Sequence, residues 1–204
     1  MILLSSNAQY IFWLGRYLTR IQYACSLFPF TEDESARHYA HAFCLPAFDA
    51  CSLNELILDP EQPFSFHQQF QNAKNNIHDL RGVLSAHCFA ELNQLLRQAE
   101  NHAGYICDVA AECNDVLEAE AEADEDIFMF FCLGQKVEQL DRHIRLQQNR
   151  QAVLTELDVL IEQFRVLGWT SLAAAWQQLK KMPDCNHFYH FSDHIQNLFE
   201  MDAA

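Results

Sequence analysis

Between Phe64 and Met182 the chain contains no proline. Proline removes a backbone donor and clashes with the preceding turn, so its absence from a stretch rich in Ala, Leu, Glu and Gln predicts long helices. All five prolines, at positions 29, 46, 60, 63 and 183, lie outside that interval. They punctuate an N-terminal third of shorter elements and mark one late turn. With five glycines among 204 residues, a turn-rich β architecture is excluded. No Gly/Ser linker or shift in composition divides the chain, so residues 1–204 are expected to form a single all-α domain. Its architecture is a helical bundle of long antiparallel helices, with a His- and aromatic-rich tail over 184–204.

Apolar spacing and capping signals place the elements. A helix is predicted from Asn7 to Leu27 and another from Thr31 to Cys44, the latter opened by a Thr31-Glu-Asp-Glu34 capping box. A short segment, Leu53 to Leu58, precedes the Asp59-Pro-Glu-Gln-Pro63 turn. Longer helices are predicted over Ser65–Leu84, from the Ser85 N-cap to Glu118 with a bend near Gly104, over Asp126–Gln148 and over Ala152–Leu167. Gly168 reads as a C-cap and Ser171–Lys181 as another helix. The tail is expected to contribute only a short apolar segment around Ile195–Phe199.

Thirteen Lys plus Arg against 28 Asp plus Glu give a formal charge of −15. A charge of that sign repels phosphate backbones and anionic lipid, so neither nucleic acid nor a membrane surface is expected as a partner. The run Glu118-Ala-Glu-Ala-Glu-Ala-Asp-Glu-Asp126 reads as a solvated helix end followed by a favourable acidic helix start. The eight cysteines are scattered, with no Cys-x-x-Cys pair, and the first residues carry no basic leader pattern. Most are expected to be buried free thiols in a reducing, cytoplasmic setting. No stretch of eighteen uncharged apolar residues predicts a membrane span.

Two segments repeat one another: Phe12-Trp-Leu-Gly-Arg-Tyr-Leu-Thr-Arg-Ile-Gln22 and Phe131-Cys-Leu-Gly-Gln-Lys-Val-Glu-Gln-Leu-Asp141. Leu14, Leu18, Ile21 and Cys25 have helical spacing, as do Leu133, Val137, Leu140 and Ile144, and Gly15 and Gly134 occupy the same place in each. A glycine inside a helix costs roughly 1 kcal/mol against alanine, so a repeated one predicts close approach of two helices as a pseudo-symmetric pair.

These residues resemble the bacterial alpha-E domain family. The N-terminal Leu3-Leu-Ser-Ser segment and the Trp, Gly-Arg-Tyr and Thr19-Arg20 that follow are similar to its signature. So are Leu58-Asp-Pro-Glu-Gln-Pro-Phe-Ser65, Asn76, Leu80-Arg81, and the later Leu133-Gly134, Glu138, Asp141 and Arg145. The departures concern charge. Thr19 and Gln22 stand where the family's first copy carries acids, and Gln135 and Gln139 where its second carries arginines. The resemblance implies an all-helical protein found beside ATP-grasp ligases and transglutaminase-like peptidases, in systems that form or modify peptides.

Gly134, Glu138, Asp141 and Arg145 share one helical face, at spacings of four, three and four. Two carboxylates one turn apart can hold a metal, share a proton or bind an amine. They also fit structural i,i+4 pairs, Glu138–Arg142 and Asp141–Arg145. Arg16 and Arg20 form a basic pair that could meet those carboxylates across the bundle or grip a carboxylate or phosphate. Asn76 and Arg81 match family positions and could border the same cleft. His187, His190 and His194, and separately His38, His41 and Cys44, have spacings that can serve a metal, without matching a known closed or catalytic signature. No Gly-x-Ser-x-Gly elbow and no phosphate-cradling glycine loop occurs, so catalytic residues stay unassigned and no cofactor is expected.

The expected role is therefore an accessory or substrate-positioning partner of an ATP-grasp ligase or transglutaminase-like peptidase, acting on a peptide or amino acid. The rival class is a metal-binding bundle built on the His-rich tail or the paired carboxylates. A third reading is a scaffold whose acidic surface binds a basic partner.

Overall fold

The computed structural model describes residues 5–101, 105–120 and 125–201, which form ten helices and no strand. Helix α1 (Ser5–Leu27) is the central element, packed against α4 (Phe66–Asp79), α6 (Ile106–Glu120), α7 (Glu125–Arg145) and α10 (Cys185–Met201). It can touch four helices because its buried positions, among them Ala8, Ile11, Leu14, Gly15 and Leu18, run round more than one face. The remaining elements are α2 (Asp33–Ala42), α3 (Ala50–Leu58), α5 (Ala86–Asn101), α8 (Gln151–Val166) and α9 (Ser171–Lys181). Buried apolar side chains form one continuous cluster, with Phe12, Phe130, Phe164, Trp169 and Phe199 in ring contact at one end.

Several expected boundaries move, each for a local reason. The capping box at Thr31–Glu34 does not form; α2 starts after Glu32, whose side chain makes no cap bond. The first acid of α2, Asp33, instead accepts the Ala50 N–H of α3 at 3.1 Å. The reciprocal box occurs at α3, where Asp49 Oδ1 accepts the Ser52 N–H at 2.7 Å. The expected long helix from Ser85 is two: α5 and α6 fold back on each other, so that Ser85 before α5 meets Glu120 at the end of α6. Gly104, where a bend was expected, lies outside the described residues.

Glu120 also corrects the reading of the acidic run as wholly solvated. It is buried and accepts both the Ser85 N–H (2.6 Å) and the Ser85 hydroxyl (2.8 Å), while Ser85 Oγ accepts the Cys88 N–H at 3.2 Å. The carboxylate thus stands at a helix N-terminus, where orphan amides favour it. Residues 121–124 of the run lie outside the described residues.

Three helices close with a residue in the left-handed region: Cys44 (φ 55°), Gln147 (φ 53°) and Gly168 (φ 99°). In each, the next residue's N–H reaches back to a carbonyl of the last turn: Leu45 to Ala40, Gln148 to His143 and Trp169 to Phe164. Gly168 terminates its helix as its sequence context implied. Cys44 lies beyond the end of α2, so His38, His41 and Cys44 do not continue along one helical face.

The tail is α10, a 17-residue helix rather than a short apolar segment. Phe188, Phe191, Ile195 and Phe199 are all buried, a helical stripe that the surrounding histidines obscure. Free thiols are also distributed differently from expectation. Cys25, Cys88 and Cys113 are buried and Cys132 half-buried, but Cys44, Cys51 and Cys185, at or beside helix ends, are exposed. No helix among the described residues is long and apolar enough to cross a membrane.

Candidate functional site

The site begins at the crossing of α1 and α7. A Cβ built on Gly15 would stand 2.3 Å from the Phe131 carbonyl oxygen, and one on Gly134 would stand 2.0 Å from that of Phe12. The contact is reciprocal, each glycine meeting the carbonyl three residues before the other. Only residues without a side chain let two helix backbones touch here. The two helices run side by side in the same direction, in contrast to the hairpin neighbours α5–α6 and α7–α8. Chain neighbours joined by short loops must reverse, whereas α1 and α7 are separated by five helices and are free to lie parallel.

Because the crossing is so close, side chains one and two turns further along are forced together. Arg16 Nε donates to Glu138 Oε2 at 2.8 Å. Arg20 grips the same carboxylate with both arms of its fork, Nε to Oε1 at 2.6 Å and Nη2 to Oε2 at 2.9 Å. Arg16 Nη2 also lies 3.6 Å from Asp141 Oδ2, and Arg145 Nε donates to Asp141 Oδ1 at 2.7 Å. Burial by itself would raise the pKa of Glu138, but Arg20 and Arg16 overcome it and hold the group down at about 2. Asp141 is pushed the other way, by burial first and by the neighbouring Glu138 charge, against the pull of Arg145.

Arg145 extends the network outward. It donates to the Ala42 carbonyl left unpaired at the end of α2 (3.3 Å) and to the Tyr189 hydroxyl of α10 (2.6 Å). Arg142 departs from the i,i+4 pair expected with Glu138. No hydrogen bond joins them; its guanidinium lies 4.0 Å from the centre of the Tyr23 ring, and Nη2 is 3.3 Å from His143 Nε2. The register explains this, since Arg16 and Arg20 already fill the Glu138 oxygens and the α7 turn aims Arg142 at α1's Tyr23.

Beside this cluster opens a cavity of about 280 Å³. Arg16, Arg20, Glu138, Asp141, Arg142 and Arg145 line its polar side, and Tyr39, Phe43, Phe66 and Phe188 part of its apolar wall. Five of the seven residues singled out from sequence thus converge. The other two do not. Asn76 sits on α4 and the exposed Arg81 in the turn after it, its guanidinium over Phe89 at 5.7 Å, and neither lines the cavity. Sequence reasoning missed Gln69, Tyr23 and Tyr39, which carry no local signal and come from three different helices.

On α10, His187 contacts Asp184 at 2.8 Å and the His190 and His194 rings lie tilted to one another with their centres 4.6 Å apart. Among the described residues no group of three or more His, Cys, Asp or Glu side chains stands ready to hold a metal. Burial pushes the Cys88 and Cys113 thiols up to about 12, which leaves these two poorly placed as nucleophiles.

A family model, Alpha-E, described as a predicted alpha-helical domain with a conserved ER motif, matches residues 3–182. No curated protein and no solved structure matches the chain. Within the matched residues no Glu directly precedes an Arg. The two similar segments read Thr19-Arg20 and Glu138-Gln139 at corresponding positions, and Arg20 and Glu138 bond to one another.

Proposed function

The chain belongs to the Alpha-E family, and on that footing we propose that it serves a peptide-forming or peptide-modifying system as a substrate-positioning partner of an ATP-grasp ligase or transglutaminase-like peptidase. The family resemblance supplies the type of system. The accessory, non-catalytic role is supported by one observation: the arginine–carboxylate cluster is closed on itself. Both oxygens of Glu138 are taken by guanidinium donors. A general acid or base works best with a pKa near the operating pH, and a carboxylate held at about 2 is far from it. The cluster's work in this reading is to lock α1 to α7 and shape the adjoining cavity, with residues 1–204 acting as one unit.

The test is affinity capture of the tagged full-length chain from its own cells, followed by mass spectrometry. Enrichment of an ATP-grasp or transglutaminase-like protein is expected. Capture of neither would overturn the partnership. Peptide turnover by the isolated chain, lost in folded Glu138→Gln and Asp141→Asn variants, would overturn the accessory role.

A further inference from the structure

The cavity is electrically unlike the rest of the molecule. Four of the chain's thirteen Lys and Arg line it against two carboxylates, a local excess of positive charge in a chain of net −15. Arg16, Arg20 and Arg145 are engaged by Glu138 and Asp141. Arg142 has no carboxylate. Its Nε is buried without a partner, and burial pulls its pKa down further than Tyr23 and the nearby Glu138 raise it. A half-buried guanidinium whose Nε is sealed off in that state costs desolvation energy that a bound anion would recover.

A second unsatisfied group lines the same space. Gln69 of α4 is 6% exposed; its Nε2 donates to the Pro63 carbonyl at 3.0 Å, which fixes which end is nitrogen and leaves Oε1 buried with no donor. The cavity therefore offers one cationic fork, one orphan acceptor and an aromatic wall. At about 280 Å³ it sits at the small-ligand end of binding cavities. We propose that it binds a carboxylate carried on a compact apolar body that also bears an N–H, the chemistry of an N-acylated apolar amino acid or an apolar peptide C-terminus. The carboxylate pairs with Arg142, the amide N–H with Gln69 Oε1, and the side chain packs on Phe43, Phe66 and Phe188. A planar monoanion matches a single guanidinium fork, while a phosphate dianion would meet added repulsion from Glu138 and Asp141. As the substrate class of the positioning role, this rests on the reading above; the site itself is tested without any partner, so either can fail alone.

The experiment is calorimetric titration of the full-length chain with N-acetyl-phenylalanine, N-acetyl-phenylalaninamide, acetate and inorganic phosphate. The first is expected to bind, and the other three at least about tenfold more weakly, the worth of one charge-assisted hydrogen bond. Arg142→Gln should weaken N-acetyl-phenylalanine by a similar factor, with Arg142→Lys recovering part of it. Ser192→Asp, a half-buried position on α10 that lines the cavity, should also weaken it and guards against a misfolded Arg142 variant. Absence of binding, equal binding of the amide, tighter binding of phosphate, or unchanged affinity in folded Arg142→Gln and Ser192→Asp would each overturn the proposal.

Discussion

Gly134→Ala sets two effects of opposite sign against each other. Alanine is the better helix former by roughly 1 kcal/mol, so propensity alone predicts a more stable protein. The new Cβ, however, would stand 2.0 Å from the Phe12 carbonyl oxygen and 2.9 Å from its carbon, both backbone atoms that cannot rotate away. Ordinary contact requires α1 and α7 to separate by more than about 1 Å. Overpacking of this kind costs about 1–3 kcal/mol, and separation also stretches the buried bonds to Glu138, whose loss costs a further few kcal/mol. The expected net change is a destabilisation of about 2 kcal/mol or more, read as a fall of at least about 4–8 °C in melting temperature for a chain of this size. Thermal melts followed by far-UV circular dichroism measure it. Gly82→Ala is the control, because nothing lies within 4 Å of its Cβ; it should shift stability by no more than about 0.5 kcal/mol. A Gly134→Ala protein that melts at or above the parent temperature would refute the close crossing and the site geometry built on it.

Glu138→Gln leaves the half-buried Arg20 without its anion and the buried Arg16 with only the longer Asp141 contact, and should cost about 3–5 kcal/mol in urea titrations, while replacing all three by apolar residues should cost less. The pH dependence follows from the same group. Its folded pKa lies below the unfolded carboxyl value of about 4.3, so the stability it contributes is present above that value and lost as pH falls towards about 2. Acid denaturation profiles of Glu138→Gln should lose that part of the slope. Asp141, with its pKa raised, acts in the opposite sense, so Asp141→Asn should steepen the profile instead. Ser85→Ala removes the cap at the start of α5 and should cost about 1 kcal/mol, with no change expected from Ser85→Asp only if the Glu120 contact were absent. Thiol labelling mapped by mass spectrometry should modify Cys44, Cys51 and Cys185 in the native protein and leave Cys88 and Cys113 until it unfolds; rapid native labelling of Cys113 would contradict its burial.

Much of the fold was legible where periodicity and capping chemistry are local. The stripes of α1 and α7, the Ser85 cap and the Gly168 stop each depend on residues within a few positions of one another. The readings that failed are those where a local signal competed with a tertiary one. Thr31–Glu34 carries a capping-box pattern, but Asp33 is recruited by α3. Glu120 belongs to an acidic run that looks solvated until α6 folds back on α5. Glu138 and Arg142 have the spacing of a surface pair, yet two arginines from α1 occupy the carboxylate. Within α10 the apolar stripe was present in the sequence, hidden among three histidines and a tyrosine of moderate helix propensity.

The amino-acid order settled the helical class, most helix ends, the paired glycines and the separation of arginines onto one copy of the repeat and acids onto the other. It could not settle how these meet. Arg16 and Glu138 are 122 residues apart, and whether they pair depends on the direction and depth at which α1 docks on α7. That docking is decided by two backbones touching at Gly15 and Gly134. The same geometry leaves Arg142 facing Tyr23 and an orphan Gln69 oxygen across a cavity no local pattern encodes. Helix formation is governed by neighbours in the chain; the charge of a cavity is governed by which helices surround it, and only the packed structure brings those together.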